Sequence, residues 1–214
     1  MISIGLTGNV AGGKTTVADR WRQSGVQVID ADRLGHAVLH EDEAAREALV
    51  DAFGGGILAP DGTIDRAALG ERAFTHDDGV QRLNAIVHPP LLERLRAELD
   101  RAARSGQPLA VVDAALIFEF GMEDDLDAVV LVTAPPEVRA ERLRRTRGLD
   151  DDRIARIMAA QMPDAEKLAR SDYVVVNDGS LEDLVTAADR TLARIRTDFA
   201  LDGRTPNAKE RDHA

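Results

Sequence analysis

The sequence predicts an α/β fold in three layers, in which helices cover both faces of a five-stranded parallel sheet. Two observations carry this prediction. Five short apolar, largely β-branched runs alternate with segments of helical periodicity, and continuous apolar strands are typical of parallel sheets buried on both faces. Aspartates close two of the runs, at the strand ends where such sheets bind ligands. The strands are expected at 2–7, 26–30, 109–113, 128–133 and 173–177.

The first helix is expected directly after the first strand and a glycine-rich loop. Residues 14–24 follow a helical pattern in which Val17, Ala18 and Trp21 share one stripe, and Gly25 closes the pattern. The second strand then begins almost at once. This strand–loop–helix–strand order is the opening unit of a doubly wound sheet.

A helical insertion is expected between the second and third strands. No strand pattern interrupts residues 32–106, and helices are expected at 32–39, 43–53, 65–74 and 81–87. Pro89 and Pro90 are expected to open a further helix that runs to about residue 104, because proline suits the first helical turn.

The second half of the chain completes the sheet. Arginine-rich helices are expected at 136–147 and 151–161, and an amphipathic helix at 181–196. Turn formers and charges predict a disordered tail over 199–214. We therefore expect one domain over 1–198, with its core at 1–31, 107–135 and 171–198.

Composition excludes several classes of protein. The 214 residues carry a net charge of −11, which argues against broad binding to nucleic acid or to an anionic membrane surface. No run is long and apolar enough for a transmembrane helix, and the N-terminus does not resemble a secretory signal. The chain has no cysteine, which excludes disulfides and thiol chemistry. We expect a cytoplasmic protein and leave its oligomeric state open.

The strongest motif is a phosphate-binding loop. Residues 8–15 read G-N-V-A-G-G-K-T and match the pattern G-x-x-x-x-G-K-[ST] in full. Backbone amides of such a loop wrap phosphate oxygens, and the helix that follows points its positive dipole end at the same anion. Lys14 is expected to reach the β- and γ-phosphates of a nucleotide, and the Thr15 hydroxyl to ligate Mg²⁺.

Phosphoryl transfer also needs a metal ligand, a group that positions the nucleophile, and positive charge. Asp113 ends the third strand and is placed to hold Mg²⁺. Asp30 and Asp32 lie two residues apart, so both leave the same face if the strand persists, and one of them can accept a proton from an attacking hydroxyl. The alternative for each aspartate is a helix cap or turn.

The helix at 136–147 carries five arginines in an acidic protein. One hypothesis is a mobile lid that brings an arginine to the γ-phosphate and excludes water. The alternative is a solvated helix face with pairs such as Glu141 and Arg145.

Further motifs follow the loop in a fixed order. The loop and D-A-D at 30–32 are followed by I-V-H-P at 86–89 and by D-A-A-L-I-F-E at 113–119. The sequences R-I-M-A-A-Q at 156–161 and D-Y-V-V-V-N-D-G at 172–179 complete the ordered set. Taken together, these motifs resemble the bacterial dephospho-coenzyme A kinase family over about residues 4–195.

The resemblance implies that ATP, as the Mg²⁺ complex, phosphorylates the ribose 3′-hydroxyl of dephospho-coenzyme A. It implies that Asp32 is the base and that Lys14 and Arg142 stabilise the transferring phosphoryl group. Region 32–106 would accept dephospho-coenzyme A, and region 136–170 would include the lid. The implied ATP contacts are Ala11, Gly12, Gly13, Lys14, Thr15, Thr16 and Asn177. The implied acceptor contacts are His88, Glu119 and Arg66, and the implied Mg²⁺ ligands are Thr15 and Asp113.

The loop departs from the family pattern, because Asn9 and Ala11 replace glycines. Residues other than glycine are expected to require negative φ there. Two other functions stay open at this point: a P-loop kinase of a nucleoside or nucleotide, and a nucleotide-dependent switch. The switch is disfavoured because Ala-Pro-Pro, and no N-K-x-D guanine reader, follows the strand that ends at Thr133. We expect Lys14, Thr15, Asp32, Asp113 and Arg142 to line one cleft.

Overall fold

A computed structural model describes residues 1–75 and 78–201, with the Phe74 side chain left out. The chain forms two compact units. The first, called the sheet unit, contains Met1–Ile29 and the described residues from Ala102 onward; the second, called the helical unit, contains Asp30–Arg101.

The sheet has five strands, which are β1 Ile2–Thr7, β2 Gln27–Asp30, β3 Leu109–Asp113, β4 Ala128–Thr133 and β5 Tyr173–Val176. They lie in the order β2-β3-β1-β4-β5, and the pairings β1 with β3, β1 with β4 and β4 with β5 are parallel. In the register, Leu6 of β1 lies beside Asp113 of β3, and Thr133 of β4 lies beside Val176 of β5. The predicted α/β class with a five-stranded parallel sheet is confirmed.

The central strands are apolar because they are covered on both faces. Every residue of β3 is buried, as are all residues of β4 except the last. On one face they pack against the helices α1 Lys14–Gln23 and α9 Leu181–Asp198. Trp21 fixes this packing, since its indole Nε1 donates to the Ala188 carbonyl at 3.0 Å.

The sheet unit contains three further helices after β4. They are α6 Pro136–Arg147, α7 Asp151–Ala159 and α8 Asp164–Ala169. The first two correspond to the predicted arginine-rich helices, whereas the short helix α8 was not predicted.

The helical unit has its own apolar core, built around buried residues such as Leu49, Phe53 and Ile57. Asp42 caps one of its helices by accepting a hydrogen bond from the Ala45 amide at 2.9 Å. A short 3-10 turn at Gly55–Ile57 joins the second and third helices of the unit. The helices are α2 Ala31–Glu41, α3 Glu43–Phe53, α4 Arg66–Thr75 and α5 Gly79–Arg104.

The expectation that Pro89 and Pro90 begin a new helix is wrong. One helix, α5, runs through both prolines. A proline's fixed φ is compatible with a helix, and the defect is the loss of its amide donor to the carbonyl four residues earlier. Apolar contacts upstream, where Ile86 and Val87 pack against the core of the helical unit, help to keep the chain helical across this gap.

At the C-terminal end, α9 runs to Asp198, and Phe199 and Leu201 pack against the core of the sheet unit. The rest of the predicted disordered tail, from residue 202 onward, lies outside the described residues. In the part of the chain that the structure describes, no helix is both long and apolar enough to cross a membrane.

Candidate active site

The predicted phosphate loop joins β1 to α1, and two of its glycines are sterically required. A Cβ at Gly8 would lie 2.3 Å from the backbone carbonyl oxygen of Val132, so the loop leaves the sheet too close to β4 for any side chain. Gly13 caps α1 with φ 105°, a left-handed conformation that glycine adopts without steric penalty.

The expectation that Ala11 needs a negative φ is wrong, because Ala11 has φ 59°. A non-glycine residue in the left-handed region is strained by about 1–2 kcal/mol. The loop therefore keeps its turn at a position without glycine, and surrounding contacts must offset the strain.

Lys14 and Asp113 form an ion pair at the carboxyl end of the sheet. Lys14 is the first residue of α1 and Asp113 is the last residue of β3, so both side chains are placed by the ends of regular elements. Arg22, which the sequence reading did not select, lies with its Nη2 atom 3.8 Å from Asp113 Oδ2. The Asp113 carboxylate therefore faces two cations.

Asn177 and Arg142 form hydrogen bonds with the backbone of the loop. Asn177 is 5% exposed, and its Nδ2 donates to the Gly12 carbonyl at 2.9 Å while its Oδ1 accepts from Arg142 Nη2 at 2.9 Å. Arg142 also donates through Nη1 to the Ala11 carbonyl at 3.1 Å. The structure thus brings both predicted residues to the loop backbone, although α6 and β5 are far from the loop in sequence.

Thr15 and Thr16 lie in the first turn of α1, where Thr15 is exposed. The N–H groups of a first helical turn have no partner within the helix, and the helix dipole adds a partial positive charge there. This end of α1 is suited to an anion.

A third set of contacts around the loop was not predicted. The Asn9 side chain donates to the Met162 carbonyl at 3.1 Å and to Asp164 Oδ1 at 2.9 Å. The amide of Val10 donates to Gln161 Oε1 at 3.0 Å. Gln161 ends the motif R-I-M-A-A-Q, which could have indicated its role. Asp164 belongs to none of the motifs quoted above.

The strand does not persist to Asp32, because β2 ends at Asp30 and α2 begins at Ala31, so the placement of both aspartates on one strand face does not occur. Asp30 is the helix cap, and its Oδ1 accepts from the Arg33 amide at 2.9 Å. Asp32 is exposed in the first turn of α2. The two carboxylates therefore have different structural roles.

The residues expected to contact the acceptor are divided between the units. Arg66 begins α4 and is exposed, and His88 lies half-buried in α5. In the sheet unit, Glu119 pairs with Lys167, whose Nζ lies 2.9 Å from Glu119 Oε1. Neither Glu119 oxygen accepts a hydrogen bond from the described residues, so this contact is an ion pair by distance alone. Lys167 is fully buried, and the sequence reading did not select it.

The arginines of α6 have distinct environments. Arg139 is 3% exposed and pairs with Asp164, while Arg145 and Arg147 are exposed. Glu141 pairs with Arg144 at 2.6 Å, whereas the alternative of a solvated helix face named Arg145 as its example partner.

The arrangement in the sheet unit is suited to binding a polyphosphate. It combines a backbone loop, a helix N-terminus and the cations Lys14 and Arg142, with one carboxylate, Asp113, at the same strand ends. Among residues 1–75 and 78–201, no group of three or more acidic or histidine side chains is arranged to hold a metal ion.

Comparison with known proteins agrees with this geometry. The family model for dephospho-CoA kinase matches residues 2–183. A dephospho-CoA kinase of Anaeromyxobacter dehalogenans is 45% identical over 193 residues, which cover 90% of this chain and 92% of that relative. A dephospho-CoA kinase of Corynebacterium glutamicum is 40% identical over 195 residues, covering 91% of this chain and 98% of the relative.

Two solved structures have a similar fold. A crystal structure of a protein from Thermus thermophilus superposes with a TM-score of 0.77 at 36% identity, covering 91% of this chain and 97% of that one. Dephospho-CoA kinase from Campylobacter jejuni shares the fold, with a TM-score of 0.69 at 23% identity and coverage of 90% and 96%. The family predicted from the motifs is confirmed: this chain belongs to the dephospho-CoA kinase family.

Proposed function

We propose that this protein phosphorylates the ribose 3′-hydroxyl of dephospho-CoA with ATP, giving CoA and ADP in the last step of CoA biosynthesis. The observation that carries the proposal is the family match over residues 2–183. The relatives, named dephospho-CoA kinase, match over nearly their whole length, and the complete phosphate loop supports the same chemistry.

In this reaction a bond forms between the 3′-oxygen and the γ-phosphorus, and the bond from that phosphorus to the β–γ bridging oxygen breaks. Lys14 and Arg142 supply positive charge to the transferring phosphoryl group. Their contacts support these roles, because Arg142 donates to the carbonyl of Ala11 and Lys14 begins the helix that follows the loop.

Asp32 receives or orients the proton of the attacking hydroxyl. Its exposed place in the first turn of α2, directly after the sheet, suits a group that must meet a substrate. Asp30 is less suited to that role, because its Oδ1 already accepts the capping hydrogen bond from the Arg33 amide. Positioning of the attacking hydroxyl by such a carboxylate is a large part of the catalysis in phosphoryl transfer.

Mg²⁺ enters as part of the ATP substrate, where it neutralises phosphate charge. Thr15 and Asp113 would hold it, because hydroxyl and carboxylate oxygens are the hard ligands that Mg²⁺ prefers, usually one or two from the protein. Asp113 is paired with Lys14, so phosphate binding gives Lys14 a second anionic partner. The nucleotide contacts remain those named above for the loop, Thr16 and Asn177.

Region 32–106, which contains most of the helical unit, would receive dephospho-CoA, with Arg66, His88 and Glu119 as acceptor contacts. Region 136–170 would act as the lid, and the enzyme would reside in the cytoplasm, where ATP is supplied. The Arg66 side chain is exposed, which is compatible with contact to a substrate. Both carboxylate oxygens of Glu119 are buried beside Lys167, so contact of Glu119 with the acceptor would require this side chain to move.

The test is ADP release from MgATP with dephospho-CoA, AMP or adenosine as acceptor. Dephospho-CoA alone should stimulate release, with CoA as product. Stimulation by AMP or adenosine would instead indicate a nucleotide or nucleoside kinase, and slow release without any acceptor would indicate a switch protein. Either result contradicts the proposal.

Two isosteric variants test the base. Asp32→Asn should lower kcat by about 100-fold or more, because general-base groups contribute about 10²–10⁴-fold. Asp30→Asn is the matched control two residues away. Asparagine caps helices as well as aspartate does, so this variant should stay within about twofold of the wild type.

A further inference from the structure

The phosphate loop is held against the segment before α8 by a set of contacts that the phosphate-loop pattern does not require. Asn9 occupies a position at which G-x-x-x-x-G-K-[ST] accepts any residue. Yet Asn9 is 5% exposed, and its amide nitrogen makes two hydrogen bonds, to the Met162 carbonyl and to Asp164 Oδ1. A buried polar side chain with two directed contacts, 153 and 155 residues away in sequence, fixes the loop in one place.

The second carboxylate oxygen of Asp164 extends this contact to α6. Its Oδ2 pairs with Arg139 Nη2, and the Arg139 side chain is only 4% exposed. Asp164 therefore joins an amide on the loop to a buried guanidinium. A charged acceptor that is held from both sides has little freedom to reorient.

The same helix that supplies Arg139 also supplies Arg142, three residues later and on the neighbouring part of the helix surface. Arg142 donates to the carbonyl of Ala11 at 3.1 Å. Helix α6 therefore contacts the loop at two points. Arg139 acts on residue 9 through Asp164, and Arg142 binds the carbonyl of residue 11 directly. Between these two points, the amide of Val10 donates a hydrogen bond to Gln161 Oε1.

Ala11 explains why the loop needs such contacts. It has φ 59°, a conformation that L-residues with a Cβ disfavour. A loop without support would relax toward negative φ and turn its peptide groups away from the arrangement seen here.

We infer that Asn9, Asp164 and Arg139 form a brace that positions the phosphate loop for nucleotide binding. The brace is a positioning device, since it acts on nucleotide through the loop. The inference rests on the proposed function only in assuming that the loop binds ATP, and the identity of the acceptor does not enter it.

The first test compares Asn9→Ala and Asp164→Ala with the wild type. Each variant should raise the Kd for ADP, measured by calorimetry, and the KM for MgATP by about tenfold, equivalent to ~1.4 kcal/mol. The kcat at saturating MgATP and the KM for dephospho-CoA should change by less than about threefold, because a preorganisation defect is recovered once the nucleotide is bound.

The double variant distinguishes a brace from two unrelated contacts. If Asn9 and Asp164 act through each other, the double variant should bind ADP about as weakly as either single variant, since contacting residues are not additive. Glu166→Ala is the matched control, because Glu166 is an exposed acidic residue of the same short helix. It should leave ADP affinity within about twofold of the wild type.

Three results would overturn the inference: an unchanged Kd for ADP in Asn9→Ala, a double variant whose loss is the product of the single losses, or a fall in kcat with unchanged affinity. If Asp164→Ala does not fold, Asp164→Asn keeps the shape and one acceptor while removing the ion pair with Arg139, and it should give a smaller but measurable rise in Kd. Calorimetry with ADP needs no acceptor, so the brace can be tested even if dephospho-CoA proves not to be the substrate.

Discussion

Asn177 is the residue on which an isosteric change should be most informative. Its two polar atoms have opposite tasks: Nδ2 donates to the Gly12 carbonyl, and Oδ1 accepts from Arg142. Asn177→Asp keeps the shape and the acceptor but replaces the donor by a second, negatively charged oxygen. That oxygen would face the Gly12 carbonyl at about the 2.9 Å that now separates Nδ2 from it.

The magnitude follows from these contacts. Leaving a buried carbonyl without its donor costs about 1–3 kcal/mol. The new carboxylate gains a charged partner in the half-buried Arg142, which returns about 0.5–1 kcal/mol. We therefore expect the free energy of unfolding to fall by about 1–2 kcal/mol, or Tm by about 2–8 °C for a chain of this length. The added negative charge beside the loop should also weaken ADP binding by about tenfold.

The assay is thermal and urea unfolding together with ADP calorimetry, with Asp178→Asn as the control on the next, exposed residue. The control changes the charge in the opposite sense without touching the loop contact, so its Tm should stay close to that of the wild type. Wild-type Tm and wild-type ADP affinity in Asn177→Asp would refute the reasoning that Asn177 acts as a donor to the loop.

Three further changes have defined outcomes. Gly8→Ala should lower the free energy of unfolding, measured in urea, by about 3 kcal/mol, because its Cβ would lie 2.3 Å from a β4 carbonyl oxygen. The control Gly70→Ala, which has open space around it in α4, should be neutral or stabilising. Equal effects of the two variants would contradict the close approach at Gly8. Lys167→Met should lower the free energy of unfolding by about 2 kcal/mol, because it removes the ion-pair partner of the mostly buried Glu119. Adding Glu119→Gln should recover part of that loss, and no recovery would contradict the pairing. Burial, with a hydrogen bond to a carboxylate on α9, raises the pKa of Tyr173 to about 12, so the folded state keeps a proton that the unfolded state loses near pH 10. Stability should therefore fall as pH rises from 10 to 12, and Tyr173→Phe should flatten that fall; parallel pH curves would rule the linkage out.

The sheet could be predicted from sequence because its strands are short, continuous and clearly ended. β3 and β4 are runs of buried apolar residues that finish at Asp113 and Thr133, and such runs have few alternatives. Helix boundaries were harder to predict where local residue preference and packing disagree. The local preference of proline predicts a helix start at Pro89 and Pro90, but the packed helix α5 continues through both residues.

The site was predictable only in part. Lys14 and Asn177 belong to motifs and Arg142 belongs to the arginine-rich helix, and the structure places all three at the loop. Asp164 and Lys167 could not be found in this way, because their roles depend on contacts with segments about 50 to 155 residues away. Nothing in the local sequence around Asp164 indicates that its carboxylate will meet Asn9.

Ala11 shows a limit of residue preferences. The rule that a non-glycine residue avoids positive φ is an energetic tendency of about 1–2 kcal/mol, and a few hydrogen bonds of about 1 kcal/mol each can outweigh it. The contacts of Asn9, Asn177 and Arg142 around the loop are of this kind. Local propensity could not reveal them, since each joins the loop to a distant element.

The most direct measurement is ³¹P NMR of the product formed from MgATP and dephospho-CoA. The expected spectrum shows ADP and one new phosphomonoester resonance on the ribose 3′-oxygen, in equal amounts and in step with the loss of the ATP γ-resonance. Asp32→Asn should form the same product much more slowly. Inorganic phosphate in place of the ester, or no product while AMP or adenosine is phosphorylated, would contradict the assignment of this chain as a dephospho-CoA kinase.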